Sequence, residues 1–147
     1  MASIVLVTSA DWLADECRSA LEGDHSLLRL RQGMDVLDAM ANTKTHLVIL
    51  DMQIGNMGGI ATCLAIRQKE EIDELKPCAI LLLLDRSADE FLAQQSGADL
   101  WLTKPIVAFH LARVVAELCP KLITTTKPTK TEQLPPKGTT TKRNNLR

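Results

Sequence analysis

The chain has no tyrosine, and only two tryptophans and two phenylalanines among its 147 residues. None of the four lies beyond residue 119, so the lysine-rich end has no aromatic platform on which bases could stack. Long apolar runs are also missing. Ala79–Leu84, among the longest, is far too short to span a bilayer. The start, Met1-Ala2-Ser3, has neither a basic cluster nor an apolar stretch behind it, which argues against a secretory signal. The four cysteines, at 17, 63, 78 and 119, form no Cys-x-x-Cys pair, and three sit in apolar runs. They read as small reduced core residues of a cytoplasmic protein, not as a disulfide framework or a zinc site. His25, His46 and His110 have no metal-ligand spacing and read as structural or exposed. No repeat of solenoid length is present. No glycine-rich phosphate loop or Ser/Thr-rich flavin loop follows the first apolar run, which weighs against a nucleotide or flavin enzyme.

What is present suits one domain. Hydrophobic residues make up 46% of the chain, enough for a real core. The net charge of −1 is an average over two unlike parts. Residues 1–119 hold 10 basic and 17 acidic residues, a balance of −7. Residues 120–147 hold seven basic residues against Glu132 alone, a balance of +6. The chain therefore divides into a folded body, residues 1–120, and a basic Thr/Lys/Pro-rich tail, residues 121–147. The tail lacks the apolar periodicity needed to order itself. Its charge attracts nucleic acid, anionic lipid or the acidic body without specificity, and a tail with no partner reads equally well.

Within the body, apolar runs and helical patterns alternate. Ile4–Val7, His46–Leu50 and Cys78–Leu84 are continuous, which is how strands buried on both faces read. Leu27–Leu30 is a weaker strand, and Ala98–Leu102 a fifth. Between them lie five helical segments. The first carries Trp12, Leu13, Cys17, Ala20 and Leu21 on its apolar face and stops at Gly23. The second, Met34–Ala41, has Met34, Val36, Leu37 and Met40 as its apolar set. The others run from Ile60 to about Ile72, Ala88 to Gln95 (stopped near Gly97) and Val107 to Leu118. Such alternation predicts an α/β fold, a flavodoxin-like doubly wound parallel sheet of five strands in the order 2-1-3-4-5, flanked by five helices. Function in this architecture collects at the carboxyl ends of the strands. Those ends carry Thr8-Ser9, Asp51, Leu84-Asp85 and Thr103-Lys104. A carboxylate and an ammonium converging there can form a phosphoacceptor site, with Asp51 as nucleophile and Lys104 neutralising charge.

Residues 3–119 resemble the receiver domains of two-component response regulators. The resemblance rests on Leu47-Val48-Ile49-Leu50-Asp51, on Gly59 eight residues later, on Gly97-Ala98-Asp99, and on Leu102-Thr103-Lys104-Pro105. It implies that Asp51 accepts a phosphoryl group from the phosphohistidine of a sensor histidine kinase or phosphotransfer protein, with Lys104 contacting the acyl phosphate. It also implies a cis Lys104–Pro105 bond, a switch aromatic at Trp101, and a backbone carbonyl at Gln53 for Mg²⁺.

Two departures from the pattern follow. Thr8 and Ser9 stand where the family has an acidic pair that holds Mg²⁺, and Asp11 is the nearest carboxylate. Asp11 reads as a weak metal ligand or, by preference, as a helix N-cap. Leu84 or Asp85, according to a one-residue alignment choice, stands where the family has a hydroxyl that follows phosphate. Asp85 reads by preference as a cap on the fourth helix. With fewer carboxylates Mg²⁺ binding is expected to be weak, and Asp51 could pair with Lys104 directly. The expected class is thus an atypical, stand-alone receiver without an effector domain. It is expected to receive a phosphoryl group on Asp51 from the sensor kinase and to signal through a protein partner on the helix 4–strand 5–helix 5 face; it is not expected to be an enzyme, beyond weak self-phosphorylation or autodephosphorylation. A second reading is a phosphorylation-independent adaptor.

Overall fold

The computed structural model describes residues 2–55 and 57–119; the tail read from residues 121–147 lies outside the described residues. Among the described residues, strands and helices alternate from start to finish. They are β1 (Ser3–Val7), α1 (Asp11–Leu21), β2 (Ser26–Leu30), α2 (Val36–Asn42), β3 (Leu47–Asp51), α3 (Gly59–Glu71), β4 (Ala79–Leu84), α4 (Glu90–Ser96), β5 (Leu100–Thr103) and α5 (Ala108–Leu118). The strands form one parallel sheet in the order β2-β1-β3-β4-β5. The order reverses between β1 and β3, so the crevice of the fold opens at the carboxyl ends of these two strands.

The strand sequences are continuous rather than alternating because both sheet faces are covered. Ile4, Leu6, Leu47, Ile49, Leu81 and Leu83 point to one face and pack with Leu13, Cys17 and Leu21 of α1 and Leu111 and Val115 of α5. Val5, Val7, Val48, Leu50, Ile80, Leu82 and Leu84 point to the other and pack with Val36, Cys63, Ile66 and Ala93. Each fully buried Leu or Ile contributes about 1.5–3 kcal/mol, so the three inner strands carry most of the stability. The edge strands β2 and β5 hold no fully buried residue. All four cysteines are free, and no helix among the described residues is long and apolar enough to cross a membrane.

Several local expectations are corrected. Trp12 is 60% exposed, because the stripe of α1 facing the sheet is Leu13, Cys17 and Leu21, spaced by four, and Trp12 lies off it. Met34 is equally exposed, since residues 33–35 form a 3₁₀ turn that places Val36, not Met34, on the core. Gly23 is not a left-handed terminator: α1 closes through the Glu22 N–H donating to the Arg18 carbonyl. Gly97 does terminate α4, with φ at 91°. The fifth strand starts two residues later than expected. The Asp99 carboxylate accepts the Ile80 N–H at 2.8 Å, so a side chain takes the place of a backbone acceptor there. His25 and His46 are structural: their Nδ1 atoms accept the N–H groups of Ala2 and Ser3.

Gly59 has a steric reason to be glycine. A Cβ there would lie 2.5 Å from the Asp51 carbonyl oxygen and 3.0 Å from the Met52 Cα. The start of α3 therefore presses directly on the backbone that carries Asp51. Gly59→Ala should cost roughly 1–3 kcal/mol, because rigid backbone must move to admit the methyl group. Urea denaturation measures this, and an unchanged midpoint would contradict the contact.

Candidate functional site

The four strand ends bring together Thr8, Asp51, Asp85 and Lys104. Asp51 is the last residue of β3, and its side chain is only 2% exposed. A carboxylate so buried needs its oxygens satisfied. Oδ2 accepts the Thr8 hydroxyl at 2.7 Å. Oδ1 accepts the Gln53 backbone N–H at 3.1 Å and the Lys104 ammonium at 2.5 Å. Thr8 itself is fully buried, and its Oγ1 accepts the Ala10 N–H at 3.0 Å. The hydroxyl is thereby oriented, with its proton toward Asp51.

Lys104 follows β5, and its backbone N–H donates to the Leu84 carbonyl, which continues the β4–β5 ladder. The peptide to Pro105 is cis, and Pro105 is exposed. The ammonium also donates to Asp85 Oδ1 at 2.8 Å. Two carboxylates thus share one cation. Burial works against the Lys104 charge, but its hydrogen bonds to Asp51 and Asp85 outweigh it and hold the ammonium above its ordinary value of 10.5. For Asp85, burial pushes upward, and hydrogen bonds from Lys104 and Gln53, with the Lys104 charge, prevail and leave it below the ordinary 3.8. The negative charge of Asp51 reaches Cys17 beneath it. Burial first, and Asp51 second, push that thiol to about 12.

The structure separates Leu84 from Asp85. Register pairs Leu84 with Thr103, and its side chain is fully buried in the α3–α4 layer, in the same cluster as the half-buried Trp101. Asp85 is the residue that meets Lys104. It does not cap the fourth helix, which has no side-chain cap. The reason is electrostatic: an ammonium at 2.8 Å is a stronger partner than a backbone N–H.

Asp11 is also corrected, both as cap and as metal ligand. It is the first residue of α1, exposed, and held by Arg29 at 3.1 Å and Arg31 at 2.8 Å. These hydrogen bonds lower its pKa. Arg29 further donates through Nε and Nη2 to the Thr8 carbonyl, at 3.0 and 2.8 Å. Sequence reading missed both arginines. The available signal was an arginine inside the apolar run Leu27-Leu28-Arg29-Leu30, where a charge demands a partner. Ser9 is exposed, and so is Gln53 apart from its backbone bond.

These residues do not fit Mg²⁺. The ion needs a near-octahedral set of oxygens with carboxylates among them. Here Thr8 donates a proton instead of offering a charge, and the Lys104 ammonium already lies between the two available carboxylates. Among the described residues, no three Asp, Glu, His or Cys side chains cluster as a metal site.

Comparison with known proteins agrees with this architecture. No protein-family model matches the chain. The transcriptional regulatory protein YvrH of Bacillus subtilis is 28% identical over 120 residues, covering 80% of this chain and 49% of that protein. The chain thus spans about half the length of the curated relative it matches. The signal receiver domain of a signal transduction histidine kinase from Syntrophus aciditrophicus superposes with a TM-score of 0.74, at 23% identity, over 86% of this chain and 96% of that one. The chemotaxis protein CheY4 of Vibrio cholerae gives 0.71, at 19% identity, over 80% and 98%. The fold is that of a receiver domain of the response-regulator type. In this chain the aspartate is met by a hydroxyl from β1, and its lysine by a second carboxylate after β4.

The lysine clamp has a measurable pH signature. Asp85 has a lowered folded pKa, so its contribution is present above 3.8 and is lost as pH falls through the folded value. Lys104 has a raised one, so its contribution is present below 10.5 and is lost as pH rises through the folded value. Stability should plateau between these limits and fall at both ends. Lys104→Met should lose roughly 3–5 kcal/mol at neutral pH, because it leaves Asp51 buried and unpaired. Urea melts across the pH range check both; a neutral-pH loss under about 1 kcal/mol would refute the clamp.

Proposed function

We propose that this domain is a receiver-type signalling module that works by protein contact, with Asp51 locked in place rather than used for phosphoryl transfer. The observation that carries this is that the one ammonium beside Asp51 is shared with a second carboxylate, Asp85, while Thr8 offers a hydroxyl in place of a charge. A phosphoacceptor needs an oxygen facing the donor and positive charge beside it to offset the charge of the transferred group. Here Oδ2 keeps an acceptor site, but the single ammonium is divided between Asp51 and Asp85. The adaptor reading is therefore better supported than the phosphorelay reading, although both draw on the Asp51–Lys104 pair.

A contact surface is available on the α4–β5–α5 side. Phe91 and Leu92 of α4, Val107 and Phe109 at the start of α5, and the half-buried Trp101 bring exposed apolar area to one edge of the sheet. Exposed aromatic residues of this kind serve as anchors for protein partners. The partner is a protein of the signalling pathway, and no turnover of a small-molecule substrate is involved.

Acetyl phosphate with Mg²⁺, followed by intact-mass measurement, separates the two readings. The expected result is no gain of a phosphoryl mass on the wild-type chain. A gain that disappears in Asp51→Ala would overturn the adaptor reading in favour of phosphotransfer.

A further inference from the structure

We propose that Asp85 is the residue that keeps a phosphoryl group off Asp51, by charge and by holding Lys104. This rests on the reading that Asp51 is not phosphorylated and identifies which residue is responsible. Two candidates stand beside Asp51. Thr8 is neutral, and the hydrogen bond it donates could still be accepted by an acylated Asp51 oxygen. Asp85 is charged, and its position is dictated by the sheet. The pairing of Leu84 with Thr103, followed by the Lys104 N–H on the Leu84 carbonyl, sets Asp85 and Lys104 side by side at the ends of adjacent strands.

In the transfer, an Asp51 oxygen would attack the phosphorus of acetyl phosphate. A new oxygen–phosphorus bond forms, the bond to the acetate oxygen breaks, and acetate departs with the electron pair. The phosphoryl group brings about two negative charges to the site. One ammonium would then face that charge and the Asp85 carboxylate together. The Asp85 side chain is 29% exposed, so solvent screens its charge only in part. Removing the carboxylate leaves Lys104 paired with Asp51 alone, with its charge no longer divided, where it can follow the phosphoryl group.

Four variants test this, with acetyl phosphate, Mg²⁺ and intact-mass measurement, and circular dichroism as the check on folding. Asp85→Asn keeps the shape and removes the charge; Asp85→Ser removes both the charge and the grip on Lys104. Both should acquire a phosphoryl mass, at rates roughly tenfold or more above wild type. Asp85→Glu and Thr8→Asp should stay as unlabelled as wild type. Folded Asp85→Asn and Asp85→Ser that both stay unlabelled would overturn the role of Asp85 and leave the adaptor reading standing. Labelling of Thr8→Asp with Asp85 intact would assign the block to Thr8 and also overturn it. Labelling of wild type removes the premise and defeats both proposals.

Discussion

The ammonium of Lys104 is the constraint on which the site depends. A carboxylate as buried as Asp51 is unfavourable unless its charge is compensated. Thr8 and Gln53 supply hydrogen bonds, but only Lys104 supplies charge. The same ammonium holds Asp85, so one cation ties the ends of β3, β4 and β5 together. The cation of this site is therefore part of the chain.

That arrangement links the crevice to the sheet edge. Lys104 follows directly on β5, whose residue Trp101 packs with Leu84 in the α3–α4 layer. Asp85 follows directly on Leu84. The clamp therefore fastens the two strands that support the α4–β5–α5 side, where the exposed apolar residues lie.

Beside the clamp, a second charged network rims the crevice. Asp11, Arg29 and Arg31 join the start of α1 to the end of β2, and Arg29 secures the Thr8 carbonyl. The backbone next to the Thr8 hydroxyl is thus fixed from the edge strand. Gly59 acts from the opposite side, where α3 abuts the Asp51 carbonyl so closely that no side chain fits. Thr8 and Asp51 are held from both flanks before any partner binds.

The sheet order, the strand ends and the positions of Asp51 and Lys104 were legible in the amino-acid sequence. Continuous apolar strands alternating with amphipathic helices admit few topologies, and hydrophobic burial enforces the pattern locally. Faces near helix starts were less legible, as Trp12 and Met34 show, because one residue of phase moves a side chain from core to solvent. The partners of the charged groups were decided only by the tertiary structure. Asp85 lies 19 residues from Lys104, and Asp11 lies 18 and 20 residues from its two arginines. Local preference favoured a cap for both aspartates. Register between strands brought a full positive charge within 3.1 Å of each instead, and a charge-assisted hydrogen bond outweighs a neutral one.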